Sequence, residues 1–87
     1  MCCQVSNVFG YVLPLPEIAA LCRRERVPLI VDASQAAGCL ELDFDGLGCA
    51  YAAMPGHKGL LGPQGTGVLL CGREEQNAVR PLMEGGT

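Results

Sequence analysis

Apolar residues in this chain come in short runs, each closed by a cluster of turn-forming residues, which is the pattern of alternating strands and helices. Cys2 to Val12 is apolar and β-branched around Ser6-Asn7, and predicts a strand running into a turn at Gly10. Pro14-Leu15-Pro16 ends that run, and Pro16 suits the first turn of a helix, where a missing N–H costs nothing. Glu17 stands near the helix start, and Arg23, Arg24 and Arg26 stand near its end, matching the macrodipole. Ile18, Leu21 and Cys22 give the expected apolar stripe at i, i+3 and i+4. Val27-Pro28-Leu29-Ile30-Val31 is a continuous apolar run, as in a strand of a parallel sheet covered on both faces. Strand, helix and strand over about thirty residues predict a right-handed βαβ unit.

Further along, Asp43-Phe44-Asp45-Gly46-Leu47-Gly48 predicts a short helical turn. Cys49 to Met54 predicts a third strand and Gly67 to Cys71 a fourth. Glu74 to Met83 predicts a short helix broken at Pro81. The fold class is therefore α/β, a mostly parallel sheet with βαβ units. One clear helix cannot cover both faces of four strands. The expectation is that residues 1–87 are one incomplete domain, an internal piece of a larger one with chain ends inside the fold.

Composition narrows the class. The 87 residues are 49% hydrophobic and 17% charged, which suits a globular chain. A chain this short buries only ~60–65% of its unfolded surface, so its core must be thin. The net charge of −3, with no basic run, gives no reason to expect nucleic acid. No apolar run approaches the ~20 residues that span a bilayer, so no membrane segment is expected. Met1-Cys2-Cys3-Gln4 lacks the basic and apolar regions of a signal peptide, so a cytoplasmic location with reduced thiols is expected. The six cysteines contain no Cys-x-x-Cys pair and His57 lies apart from them, so zinc spacing is absent. Most of these cysteines are expected to act as small buried hydrophobes.

Two stretches carry candidate chemistry. Val31-Asp32-Ala33-Ser34-Gln35-Ala36-Ala37-Gly38 puts a carboxylate where an apolar run stops. Met54-Pro55-Gly56-His57-Lys58-Gly59 carries the only lysine and leads into a glycine-rich turn. Ligands of open α/β sheets bind outside the carboxyl ends of strands, where both stretches fall. An amine there serves as a Schiff-base nucleophile once its pKa is depressed or it is partly desolvated. A carboxylate opposite a pyridine nitrogen keeps that ring protonated and electron-accepting. Together they suggest a carbonyl cofactor. Plain readings stand beside these. Lys58 could be an ordinary surface lysine, Asp32 a turn cap, Gln35 a solvated polar residue, His57 a packing histidine and Asn7 a turn residue before Gly10. Gly62 to Gly67 lacks the Gly-Lys-Ser/Thr ending of a nucleotide loop.

Ser6-Asn7-Val8-Phe9-Gly10, Val31 to Gly38 and Gly56-His57-Lys58, in this order and spacing, resemble three blocks of the class V aminotransferase family. Within it they resemble most the cysteine desulfurase and selenocysteine lyase branch. The resemblance implies the large domain of a fold-type I enzyme that uses pyridoxal 5'-phosphate. It makes Lys58 the catalytic Schiff-base lysine and Asp32 the partner of the pyridine nitrogen. Gln35 would lie near the phenolic oxygen, His57 near the phosphate, and Asn7 by the substrate carboxylate or cofactor edge. Thr87 would reach the phosphate of a neighbouring subunit, which implies a homodimer. The implied substrate is cysteine or a similar amino acid, and the implied reaction its desulfuration to alanine. A class V aminotransferase or related lyase is the alternative, and a truncated, non-catalytic polypeptide is the reading from another class. Pro55 departs from the pattern, standing where many relatives carry a Ser or Thr that contacts the phosphate. The family's small domain, carboxylate-binding arginine and sulfur-accepting cysteine have no counterpart among these residues.

Overall fold

Val31 and Ala52 lie side by side on neighbouring strands with no exposed surface, and the core is built around them. The computed structural model describes residues 1–86. The elements run β1 (Cys2–Cys3), α1 (Leu15–Arg24), β2 (Ile30–Asp32), α2 (Phe44–Leu47), β3 (Tyr51–Pro55) and β4 (Gly67–Cys71), followed by a 3-10 turn at Arg73–Glu75. The sheet order is β1-β2-β3-β4, with β1, β2 and β3 parallel and β4 antiparallel to β3. The expected α/β fold with a mostly parallel sheet is thus present.

The antiparallel β4 follows from its connection. Residues 56–66 hold no helix, and a parallel return needs a crossover element. The first strand is far shorter than the apolar run of Cys2 to Val12 suggested. Ser6 turns the chain early: its carbonyl accepts from the Gly10 N–H at 2.9 Å and its hydroxyl from the Phe9 N–H at 3.1 Å. The rest of the run folds back, with Val5 bridging Val12 in antiparallel sense.

Helix α1 opens with Pro16 in its first turn and closes with a Schellman motif, in which Val27 N–H donates to Cys22 O at 2.8 Å and Arg26 N–H to Arg23 O at 3.2 Å. Arg26 takes the left-handed conformation there, φ 56°, usually a glycine's place. The helix buries Leu15 and Ala19, with Ile18 and Cys22 partly buried beside them, against Leu29, Val31, Ala33, Cys49 and Ala52. Leu21, expected in that stripe, is half exposed, because the buried face runs through 15, 18, 19 and 22. Arg23 reaches from α1 to the end of α2, donating to Leu47 O at 3.2 Å. Asp43 caps the start of α2, accepting from Gly46 N–H at 3.0 Å.

Glu74 to Met83 forms no α-helix. Only Arg73–Glu75 makes a 3-10 turn, and Val79, Leu82 and Met83 are exposed. A segment this short with no apolar partner lacks the packing that stabilises a helix. Among the described residues no helix is long and apolar enough to cross a membrane.

The helices cover the sheet face that carries Cys2, Val31 and Ala52. All five residues of β4 are exposed, those on both faces, and Leu69, on the face turned away from the helices, reaches 66%. The 87-residue polypeptide alone is therefore expected to self-associate through β4 and this face. Sedimentation velocity over a concentration series should show species larger than the monomer. A monodisperse monomer with one sharp thermal transition would contradict this.

Candidate functional site

Three segments leave the carboxyl ends of the three parallel strands and meet there. They are residues 6–10 after β1, residues 33–40 after β2 and residues 56–62 after β3. The expected site residues Asn7, Asp32, Gln35, His57 and Lys58 all lie on this edge. Thr87, the remaining one, lies outside the described residues.

Asp32 is the last residue of β2, and strand alternation puts it on the face opposite the buried Val31. Its Oδ1 accepts from the Ser34 N–H at 2.9 Å, and its Oδ2 from the Cys3 thiol, with Sγ at 3.7 Å. The carboxyl pKa is lowered, first by Ser34 through side chain and N–H; Cys3 and the charge of Lys58 act the same way, and burial opposes them. Asp32 is therefore a carboxylate at neutral pH. Lys58 contributes least of these, from the loop that follows the neighbouring strand β3.

Gln35 Nε2 donates to Asn7 Oδ1 at 2.7 Å, tying the turn after β2 to the turn after β1. This bond uses the Asn7 oxygen and leaves its two N–H donors free; it leaves the Gln35 oxygen free as an acceptor. Lys58 and His57 are exposed. Their loop is closed at its base by Gly62 N–H donating to Gly56 O at 2.6 Å and by Gly56 N–H donating to Thr66 O at 2.8 Å. Leu61, in the same loop, has φ 59°, a left-handed conformation rare for leucine. Such strain persists only where the surroundings impose it.

The lysine loop also touches the segment after Asp32. Gly38, at φ 82°, and Gly59 pack backbone to backbone, so a Cβ on Gly38 would fall on Gly59 O and one on Gly59 on Ala37 O. Neither contact was legible from spacing, and neither was the pairing of Cys3 with Asp32. The run of glycines around Lys58 was the available signal for the first; the second needs the strand register. Of the six cysteines, Cys49 is buried and Cys2 and Cys22 are partly so, while Cys3, Cys39 and Cys71 are exposed. Burial pushes the Cys2 and Cys49 thiols up, away from reactivity. No group of three or more His, Cys, Asp or Glu among the described residues could hold a metal ion.

The model of the family described as "Aminotransferase class-V" matches residues 1–87. The chain belongs to the class-V aminotransferase family. A protein of Methanothermobacter thermautotrophicus named "Probable cysteine desulfurase" is 43% identical to this class-V chain over 83 residues, 95% of the chain and 21% of that protein. The apo structure of cysteine desulfurase from Thermococcus onnurineus NA1 superposes with a TM-score of 0.91 at 34% identity, covering 97% of the chain and 21% of that structure. A structure described as SspA in complex with cysteine gives 0.85 at 28% identity, over 97% of the chain and 24% of its own length. The class-V chain thus spans about a fifth of the length of the relatives it matches.

The Gly38–Gly59 contact predicts a sharp penalty. Gly38→Ala in the full-length protein meets both a left-handed φ and a backbone oxygen, and should cost about 2–4 kcal/mol. Gly85→Ala meets no neighbour and has no such φ, so it should change stability by about 0.5 kcal/mol or less. Urea midpoints at constant slope measure both.

Proposed function

We propose that this chain is part of the cofactor-binding large domain of a pyridoxal phosphate-dependent cysteine desulfurase. The observation that carries this is the Asp32 carboxylate, kept ionised at the end of β2, with the only lysine in the loop that follows the neighbouring parallel strand β3. The family match and the relatives named cysteine desulfurase support it. The SspA structure with cysteine supports a cysteine-like amino acid as substrate. The free thiols are compatible with a reducing, cytoplasmic setting, and the bare sheet face with a larger, homodimeric protein.

The described residues fit the group that this reading requires. An ionised carboxylate suits a protonated pyridine nitrogen, an amine suits an aldehyde, and the Asn7–Gln35 amide pair suits a phenolic oxygen or a substrate carboxylate. The phosphate is served by His57, since Pro55 offers neither hydroxyl nor N–H. When bound, pyridoxal phosphate supplies an electron sink for negative charge at the substrate Cα. Lys58 would hold the cofactor through its aldehyde and, once the substrate is bound, would move the proton at its Cα. Asp32 holds the proton on the ring nitrogen, without which the ring accepts little charge. Asn7, its oxygen engaged by Gln35, would offer its N–H donors to the carboxylate of the substrate.

Lys58→Ala in the full-length protein should abolish the visible absorbance of covalently held cofactor and lower turnover by about 100-fold or more. Borohydride reduction followed by peptide mapping should find the cofactor fixed on Lys58, and a label on any other residue would sink the assignment. Asp32→Asn should leave that absorbance in place and slow exchange of the substrate Cα hydrogen with solvent by roughly 100-fold. Exchange at the parent rate would show that Asp32 is a turn residue only.

A further inference from the structure

The Asp32 carboxylate is gripped from two directions. Its own turn supplies the Ser34 N–H to Oδ1, and the neighbouring strand supplies the Cys3 thiol to Oδ2. Cys3 is there because the parallel register sets it directly opposite Asp32, on the sheet face away from α1. A carboxylate held at one oxygen keeps a broad torsion about its last bond. A second donor from another strand fixes its plane. A thiol is a weak donor, but an ionised acceptor strengthens the bond. Each carboxylate oxygen has about two acceptor sites, so Oδ2 can take the thiol and still face a ligand. Cys3 is exposed, so it fills no core position that would account for it as packing. Cys2, by contrast, points the other way into the core.

We propose that Cys3 is a positioning residue whose thiol, donating to Oδ2, orients the Asp32 carboxylate toward the ring nitrogen of the cofactor. This rests on the assignment of Asp32 to that nitrogen. The titratable groups that face Asp32 are Cys3 from β1 and Lys58 from the loop after β3, with Ser34 adding hydrogen bonds from its own turn. Only Cys3 acts on Oδ2 through a side chain that can be exchanged without touching the lysine loop or the turn.

The test uses the full-length protein labelled with isotopic aspartate, the Asp32 resonance being the one lost in Asp32→Asn. In the cofactor-free protein, Cys3→Val should move the Asp32 titration midpoint up toward the ordinary aspartate value, and Cys3→Ser, which keeps a donor, should restore it. Cys3→Ala removes the donor with less bulk and should behave as Cys3→Val does. The resonances of Asp43 and Asp45 should not move in any of these variants. With pyridoxal phosphate added, Cys3→Val should bind it about two- to tenfold more weakly, and Cys3→Ser near the parent affinity. An unmoved Asp32 midpoint in Cys3→Val and Cys3→Ala, or no recovery in Cys3→Ser, overturns the proposal. Should Asp32→Asn itself exchange the substrate Cα hydrogen at the parent rate, the assignment of Asp32 fails and the role of Cys3 falls with it. Should Asp32→Asn slow that exchange while Cys3→Val leaves the Asp32 midpoint and the cofactor affinity unmoved, the assignment stands and Cys3 alone is excluded.

Discussion

The register of β2 between β1 and β3 governs everything else in this molecule. Val31 lies opposite Cys2 on one side and Ala52 on the other, and this row faces α1. Val31 and Ala52 keep no exposed surface, so the row cannot shift without bringing them into water. Side chains alternate along a strand, so a slip of one residue would drive Asp32 into the core in place of Val31. Burying an unpaired carboxylate there would cost far more than the apolar contacts return. With Val31 fixed inward, Asp32 must point outward, and Cys3 and Ala53 flank it in the same row.

From that row the candidate site assembles by short connections. Each parallel strand ends on the same edge, so the turns after β1, β2 and β3 become neighbours without any long-range search. Specific contacts then lock them: Gln35 to Asn7 joins the first two, and the Gly38–Gly59 approach joins the second and third. The carboxylate of Asp32 is prepared before any ligand arrives, because Ser34 and Cys3 already donate to it. Preorganised acceptors of this kind cost no rearrangement when a positive group binds.

Much of this was legible from residue order. Pro16, Glu17 and the arginine cluster marked α1, Gly67 to Cys71 marked β4 to the residue, and Asp43 marked the start of α2. Asp32 and Lys58 were recognisable because each follows an apolar run, and a strand end is where ligands of such sheets bind. The misreadings have two causes. Leu21 looks as apolar as Ile18, Glu74 to Met83 has helical composition, and Cys2 to Val12 has strand composition. Packing decided the first two against local preference, since Leu21 turns outward and residues 76–83 have nothing to pack on; a local turn at Ser6 ends the first strand early.

Periodicity and turn chemistry are local properties, so the order of residues alone determined that four segments are strands, near where the last three of them stop, and that a carboxylate and the only lysine stand at two of those stops. Register, strand direction and backbone contact are relations between distant segments. Tertiary structure therefore settled that β4 runs antiparallel, that Cys3 rather than Cys2 faces Asp32, and that two glycines clamp the lysine loop. No spacing along the chain encodes these, because each is a relation between segments that meet only once the strands have paired, as β2 and β3 do when Val31 and Ala52 are buried together.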